Sequence, residues 1–192
     1  MIDHIAILTE SQERLNESLP GFCRGLEPEL QPAEGTLERY VLIDGLSGLK
    51  LLLMEPVADG PYSSALSRRG SGLHHIALLI KSFEAFFESD NGLRLLLHPY
   101  SIQSIEYGTL WLCRPGIPFL VELTECDKLD DSMDEFTDKL QPGPSCVITI
   151  PVNESNRAEE VWQLSAEVKI QTGSQSEIIV EIENFSPIEF NS

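Results

Sequence analysis

Two short segments of the chain share a common core: residues 2–8 read Ile-Asp-His-Ile-Ala-Ile-Leu, and residues 73–79 read Leu-His-His-Ile-Ala-Leu-Leu. The shared His-Ile-Ala begins at His4 in the first segment and at His75 in the second. Both segments have the apolar character of a buried β-strand, and each is followed by apolar residues at helical spacing. A repeat of this kind indicates a structural unit present in two copies.

The two copies also end alike, with Leu-Leu-Leu-Met-Glu at residues 51–55 and Val-Glu-Leu-Thr-Glu at residues 121–125. Further apolar strands are predicted in each copy, at residues 39–43 and 49–54 and at residues 93–97 and 109–113. Each unit is therefore predicted to be βαβββ. Because open half-sheets bury their faces by pairing, we expect an α+β fold of paired modules. The two modules would form one curved, U-shaped mixed sheet around a central cavity.

The repeat divides the chain into three parts. Residues 1–126 form the paired domain, with units at 1–71 and 72–126, and residues 127–145 are predicted to form an acidic helix and a Pro/Gly linker. Residues 146–192 are predicted to be a βαββ extension, a shortened third unit with a helix at residues 158–166. Its last strand, residues 180–183 (Val-Glu-Ile-Glu), resembles residues 121–124 (Val-Glu-Leu-Thr).

Composition and charge exclude several classes of function. The 192 residues include 13 Lys+Arg and 31 Asp+Glu, a net charge of −18, with 42% hydrophobic residues. This acidity disfavours nucleic acid and anionic membrane surfaces, both of which recruit basic residues. No apolar run approaches the length of a membrane span, and no signal peptide is evident. The four scattered cysteines contain no CxxC pair, which favours free thiols and a cytoplasmic location.

Three polar residues on the predicted strands are candidates for a metal site. Strand alternation places His4 on one face with Ala6 and gives His75 the same phase in the second unit, while His74 alternates to the opposite face. Glu122 lies in the middle of an apolar strand, where an unpaired carboxylate would be costly to bury. Two histidines and one carboxylate that converge in a cavity form a ligand set for a divalent metal.

The repeated segments together resemble the vicinal-oxygen-chelate (glyoxalase, bleomycin-resistance and dioxygenase) superfamily. The runs Leu51–Pro56, 63–69 and 72–77 are most similar to its methylmalonyl-CoA epimerase-like members, and the resemblance covers about residues 1–126. It implies a divalent cofactor (Co, Ni, Zn, Mn or Fe) and a metal-dependent isomerase or lyase. The substrate would be a small carbonyl or acyl-CoA compound whose enolate is stabilised. Glu122 would be both a ligand and a catalytic residue, and a homodimer is expected.

The sequence departs from this family at one ligand position. The resemblance implies four ligands, and Leu52, the counterpart of Glu122 in the first unit, stands where a Gln or Glu is expected. Either three protein ligands hold the metal or the metal has been lost. Lys50, if it points inward, would oppose a cation. Two alternatives therefore stay open: a non-catalytic protein that binds a small ligand, and an Fe(II) dioxygenase that uses His4, His75 and Glu122.

Other polar residues have simpler interpretations. Arg68 and Arg69 precede Gly70 at a predicted helix end, where cations stabilise the helix dipole. Arg114 could meet an anionic ligand, and Cys113 is interpreted as a buried thiol. His98 is interpreted as a loop residue that could also line the cavity. The general base is left open among Glu29, Glu34 and Glu38, because the sequence does not place their segment in register.

Overall fold

The structure is a computed structural model. It describes residues 2–44, 49–88, 95–113, 118–126, 146–151, 161–163, 168–173, 177–182 and 188–191. The predicted acidic helix and linker at residues 127–145, as well as Arg114, lie outside the described residues. Within those residues, no helix combines the length and the apolar character that a membrane span requires.

The first module begins with a strand and a short helix and continues through four strands. Its elements are β1 (Ile2–Leu8), α1 (Gln12–Ser18), β2 (Cys23–Gly25), β3 (Glu29–Gln31), β4 (Thr36–Ile43) and β5 (Lys50–Pro56). The helix α2 (Pro61–Arg69) leads to the second module. It ends as predicted, because Gly70 has φ +75° and its N–H donates to Leu66 O at 2.8 Å. A residue without Cβ adopts this left-handed conformation at little cost.

The second module also begins with a strand and a short helix, and it includes a further short helix and a 3-10 turn before its last two strands. Its elements are β6 (Gly72–Ile80), α3 (Phe83–Glu88), β7 (Leu96–Leu97), α4 (Ser101–Ser104), a 3-10 turn (Ile105–Tyr107), β8 (Thr109–Cys113) and β9 (Leu120–Glu125). The strands expected at 109–113 and 121–125 are therefore confirmed.

The two modules form one mixed sheet of nine strands. Its order is β2-β4-β5-β1-β6-β9-β8-β7, and β3 pairs with β4. Within each module the first strand pairs in parallel with the last, β1 with β5 and β6 with β9. The modules meet where β1 and β6 pair antiparallel. The predicted α+β fold of paired modules in a curved, open sheet is confirmed, with the first strands of both modules at its centre.

The sheet has two different faces. The convex face carries the main apolar core, in which Ile5, Leu53, Ile76 and Leu123 are fully buried, and α1 and α3 pack against it. The concave face carries a smaller apolar cluster of buried Ala6, Leu8, Leu52, Met54 and Ala65, with Tyr40, Tyr62 and Leu66 packed around it. Ala65 brings α2 onto this face, so the inter-module helix covers the side of the sheet that holds the predicted ligands.

The C-terminal part forms a second sheet of five strands. Its strands are β10 (Cys146–Pro151), β11 (Val161–Gln163), β12 (Val168–Gly173), β13 (Glu177–Ile182) and β14 (Ile188–Asn191), in the order β11-β12-β10-β13-β14. The predicted helix at 158–166 is wrong over Val161–Gln163, which pair antiparallel with β12. A β-branched residue beside an aromatic one suits a strand, and the cross-strand pairing outweighs the helical spacing.

The pairing directions of this second sheet follow those of the first module. β12 is parallel to β10, as β5 is to β1, and β11 is antiparallel to β12, as β4 is to β5. By this comparison, β12 corresponds to β5, the last strand of the first module. The strand that contains Glu181, β13, pairs antiparallel with β10, whereas the strand that contains Glu122, β9, pairs in parallel with β6. The two strands therefore resemble each other in sequence but do not occupy equivalent positions in their sheets. A shortened third unit stays a prediction that these directions favour.

Candidate metal centre

The three predicted ligands converge on the concave face of the sheet. His4 Nε2 and His75 Nε2 lie 3.0 Å apart, and Glu122 Oε2 lies 3.3 Å from His75 Nε2 and 4.0 Å from His4 Nε2. Both histidines are buried, and the Glu122 side chain keeps 18% of its exposure. Of the described His, Cys, Asp and Glu side chains, these three form a group that could hold a metal ion.

The geometry fits a single ion between these atoms. Two ligand atoms that each bind one divalent ion at about 2.0–2.2 Å can lie up to about 4.4 Å apart. All three observed distances fall within that limit. When both imidazoles carry their proton on Nδ1, two nitrogen lone pairs and a carboxylate oxygen face one another, and a cation satisfies all three. The donor set of two imidazoles and one carboxylate suits zinc, iron, cobalt, nickel or manganese.

Each of the two predicted histidine ligands follows a β-bulge in the central strand pair. Ile2 is in register with Leu78 and His4 with Ala77, so Asp3 is the extra residue on β1. Similarly, Ala6 is in register with His75 and Ile7 with Leu73, which makes His74 the extra residue on β6. A bulge interrupts the alternation of faces, and the two residues of the bulge lean to one side.

The prediction that His74 alternates to the opposite face is therefore wrong. His74 is buried, its Nδ1 lies 2.9 Å from His75 Nδ1, and its ring packs against Tyr62 of α2 at 5.1 Å. Burial, with smaller contributions from the charges of His75, Arg69 and His98, lowers the pKa of His74 to about 3. The ring is thus neutral in water near pH 7.

The pKa shifts of two of the three candidate ligands suit a metal site. Burial and the charge of His4 lower the pKa of His75 well below its ordinary value, so the ring is in the neutral state that binds a metal. Burial raises the pKa of Glu122, while the neighbouring His4 lowers it. A buried carboxylate whose charge is poorly solvated gains most from a bound cation.

The register shows that Leu52 is the structural counterpart of Glu122. Ala6 pairs with Leu52 across β1 and β5, and Ala77 pairs with Glu122 across β6 and β9. Leu52 is 4% exposed and packs in the concave apolar cluster. The first module therefore supplies an apolar side chain where the second supplies a carboxylate, and the equivalence of Leu52 and Glu122 expected from the repeat is confirmed.

Lys50 does not stand as an unpaired charge beside the ligands. Its Nζ lies 3.1 Å from Asp3 Oδ1 and 5.1 Å from the centre of the Tyr40 ring. Asp3 in turn places Oδ2 2.8 Å from His4 Nδ1, and this hydrogen bond is the main reason that the pKa of Asp3 is lowered. The Lys50 charge is thus balanced by a carboxylate that also contacts a ligand.

The structure places Glu38, which the sequence left unassigned as a base, at the concave face. Glu38 is in register with Met54, whose side chain belongs to the concave apolar cluster. Thr36 Oγ1 donates to Glu38 Oε1 at 2.9 Å. Burial raises the pKa of Glu38, and its charge interacts with those of His4 and Glu122. The register of the segment that contains Glu38 is fixed by the pairing of β3 with β4, and no local sequence motif predicts this pairing.

The other two acids of this segment have different environments. Glu29 is exposed, whereas Glu34 accepts a hydrogen bond from Tyr62 Oη at 2.9 Å and so connects the turn before β4 with α2. Burial, with the charge of Glu34, raises the pKa of Tyr62 well above its ordinary value. Tyr62 therefore stays protonated and acts as a donor. Of the three acids, Glu38 is the one that shares the environment of the ligands.

The remaining residues are placed as follows. Arg68 Nε donates to Ser64 O at 3.1 Å and Arg69 Nη1 to Pro118 O at 2.8 Å, which agrees with the helix-end interpretation. His98 is half-buried and accepts a weak hydrogen bond from Tyr100 N at 3.4 Å. Cys113 is a free thiol that is only half-buried.

Two aromatic residues beside His75, Trp111 and Tyr100, were not linked to the site by any sequence pattern. The Trp111 ring meets the His75 ring edge-on at 4.9 Å, and the centre of the Tyr100 ring lies 6.4 Å from that of Trp111. Trp111 is in register with Glu122, so it flanks two of the three ligands. The tryptophan is buried and keeps water from that side of the His75 ring.

The paired modules, with a His/His/Glu group on the concave face, have the arrangement that the resemblance to the vicinal-oxygen-chelate superfamily implies. No protein-family model matches the sequence, and no curated protein matches it. Similar solved structures include a hypothetical protein from Bacillus halodurans, which is 27% identical with a TM-score of 0.48 and covers 66% of this chain and 94% of that one.

Two methylmalonyl-CoA epimerase structures are also similar. The enzyme from Mycobacterium tuberculosis is 19% identical with a TM-score of 0.47, over 68% of this chain and 91% of that one. A Streptomyces coelicolor variant in complex with 2-nitronate-propionyl-CoA is 26% identical with a TM-score of 0.45, over 65% and 95% of the two chains. These likenesses assign no activity to this protein.

Proposed function

We propose that the protein is a divalent-metal-dependent isomerase acting on a small carbonyl or acyl-thioester substrate. The observation that carries the proposal is the convergence of His4 Nε2, His75 Nε2 and Glu122 Oε2 within 4.0 Å on the concave face. The preference for acyl thioesters over other carbonyl compounds rests on the resemblance of the strand and helix segments to epimerase-like proteins.

A bound divalent ion would act as a Lewis acid that polarises the substrate carbonyl and so acidifies the adjacent C–H bond. His4, His75 and Glu122 would hold it and orient its open positions toward the concave face. Trp111 and Leu52 limit the access of water from two sides of this group. Exclusion of water strengthens the electrostatic interactions within the site.

Glu38 is the residue that we assign as the general base. It is half-buried, its carboxylate is oriented by Thr36, and its charge interacts with two of the proposed ligands. A base that removes an α-proton works best when its pKa is raised toward the operating pH, and burial shifts the pKa of Glu38 in that direction. Proton removal by Glu38 would make the α-carbon planar, and a proton donated by solvent to the opposite face would re-form the C–H bond with inverted configuration, while Glu38 returns its own proton to solvent.

Leu52 supports a second candidate function. With an apolar residue at the fourth ligand position, the site has the two-histidine, one-carboxylate set found in non-haem Fe(II) oxygenases. A protein that binds a small ligand without catalysis is the further alternative. The three candidate functions differ in whether they need a metal, in which metal they need and in whether they catalyse a reaction.

Metal analysis of protein purified without chelators is the first test. We expect about one divalent ion per chain, lost in Glu122→Ala and retained in Glu125→Ala, whose carboxylate accepts from Phe83 N away from the ligand group. Iron together with substrate-dependent uptake of O₂ would favour the oxygenase. A folded protein that takes up no metal after loading with each of the five ions would overturn both enzyme proposals and leave a binding protein.

Proton exchange tests the isomerase chemistry directly. In D₂O, the metal-loaded protein should incorporate deuterium at the α-carbon of acyl-CoA thioesters with an acidic α-proton, methylmalonyl-CoA being the first to try. Glu38→Gln should lower this rate by about 100-fold or more, in the range of general-base contributions. Glu27→Gln, at an exposed position between β2 and β3, should leave the rate unchanged.

The pH dependence of exchange gives an independent readout. Glu38 accepts a proton only when it is ionised, and burial raises its pKa above the ordinary value of 4.5. The rate should therefore fall as the pH is lowered through a value above 4.5, and Glu38→Gln should abolish this acid limb. Exchange that keeps the same acid limb in Glu38→Gln would contradict the assignment of the base.

A further inference from the structure

We propose that Asp3 and His74, the two bulge residues of the central strands, are positioning residues that fix the orientation and tautomer of the metal-binding histidines. The inference rests on the proposed metal site and names residues outside its ligand set. It concerns the second nitrogen of each imidazole, Nδ1, which faces away from the site.

The two bulges give the same result in both modules. Without a bulge, the residue before each histidine would point to the convex face. Instead, Ile2 and Ile5 on β1, like Leu73 and Ile76 on β6, are both buried in the convex core although they are three residues apart. The extra residue between each pair is therefore free to lie beside the histidine that follows it, and its side chain reaches Nδ1.

Asp3 supplies a charged partner. Its Oδ2 lies 2.8 Å from His4 Nδ1, and its Oδ1 is held by Lys50 Nζ at 3.1 Å. A carboxylate can only accept, so Nδ1 of His4 donates the proton and the Nε2 lone pair is directed into the site. Such carboxylate–histidine pairs orient metal ligands and make the ligating nitrogen more basic.

His74 supplies a neutral partner in the second module. The two Nδ1 atoms of His74 and His75 are 2.9 Å apart, and a hydrogen bond at this distance needs one proton between them. If His75 ligates through Nε2, its Nδ1 carries the proton and His74 accepts it. Tyr62 packs on the His74 ring at 5.1 Å and is tied to Glu34 at 2.9 Å, so α2 fixes the orientation of His74.

The two partners are expected to differ in strength. An ionised acceptor makes a stronger hydrogen bond than a neutral one, so Asp3 should contribute more to metal affinity than His74. Loss of an outer partner of a metal ligand commonly lowers affinity by about 10–100-fold. We expect Asp3→Ala to fall in the upper part of that range and His74→Ala in the lower part.

The test is a competition titration of the full chain with Co²⁺ against a chromophoric chelator, together with the visible spectrum of bound Co²⁺. Asp3→Ala and His74→Ala should weaken binding and alter the spectrum, because the ligating rings are no longer held in one orientation. Asp3→Asn and His74→Gln each retain an oxygen acceptor and should recover part of the affinity. Asp59→Asn, at an exposed position outside these contacts, should match the wild type.

The outcomes separate this proposal from the proposed function. Wild-type affinity and spectrum in both alanine variants would overturn the positioning roles and leave the metal site intact. A folded wild-type protein that binds no Co²⁺ would overturn the metal site and the positioning roles together. If an alanine variant fails to fold, as judged by its thermal transition, the matching Asp3→Asn or His74→Gln protein is tested instead. For the proposal to hold, this protein must bind Co²⁺ more weakly than the wild type and show an altered Co²⁺ spectrum.

Discussion

The two modules pair their first and last strands in the same direction and in the same register, yet they contribute different side chains to the concave face. The second module provides a histidine and a carboxylate, whereas the first provides a histidine and Leu52 at the position equivalent to Glu122. The bulge residues differ too, an aspartate in one module and a histidine in the other. The repeated backbone thus presents two unlike halves of one site.

The convex face shows the opposite behaviour. Leu53 and Leu123 occupy equivalent positions, since Ile7 pairs with Leu53 and Leu78 with Leu123, and both leucines are 0% exposed. Core packing therefore keeps the repeat at this position, whereas the concave face keeps it at His4 and His75 and departs from it at Leu52 and Glu122. The comparison indicates that the fold constrains one face of each strand while the other face is available for function.

The largest effect is expected from removing a ligand of the concave face. His75→Ala should abolish stoichiometric metal binding, because the ring is fully enclosed and contributes one of three donors. Equilibrium dialysis followed by elemental analysis measures this loss, with His98→Ala as the matched histidine control. Metal content in His75→Ala equal to that of the control would show that the two modules do not share one site.

The next largest effect tests whether the two modules contribute equivalently to the convex core. Leu53→Ala and Leu123→Ala each remove a fully buried side chain and should lower the free energy of unfolding by about 2–5 kcal/mol. Denaturant unfolding of the metal-free proteins measures both. Since the positions are equivalent, the two losses should agree within about 1 kcal/mol; a near-neutral result for either leucine would break the comparison.

The smallest effect sharpens the difference at the concave face. Leu52→Gln places an amide oxygen at the position equivalent to Glu122 and should raise the affinity for Zn²⁺ by about tenfold, as a fourth ligand completes a tetrahedral set. Leu52→Met, which cannot supply oxygen, is the control. Equal affinities in the two variants would mean that residue 52 does not face the ion.

Much of this arrangement could be predicted from the sequence. The repeated His-Ile-Ala core was enough to place His4 and His75 on equivalent strands, and the buried position of Glu122 marked it as their partner. The internal repeat also identifies Leu52 as the counterpart of Glu122, and the register confirms this equivalence. Each of these inferences depended on strand alternation, which holds wherever the pairing is regular.

The errors come from places where pairing is irregular or non-local. His74 was assigned to the wrong face because a bulge is a property of two paired strands and leaves no mark in one of them. Glu38 could not be chosen among three acids because its register depends on β3 and β5. The helix expected at 158–166 was replaced over Val161–Gln163 by pairing with a strand that follows later in the chain.

The position of the ligands at the centre of the sheet has a consequence for local unfolding. β1 and β6 are the two middle strands, so their amides are flanked by hydrogen-bonded neighbours on both sides, whereas β2 and β7 lie at the edges. Amide hydrogens at His4 and His75 should therefore exchange with solvent only in the most global opening events, and the edge strands should exchange first. The two histidines of the candidate metal centre thus lie on the strands that we expect to be the most protected part of the fold.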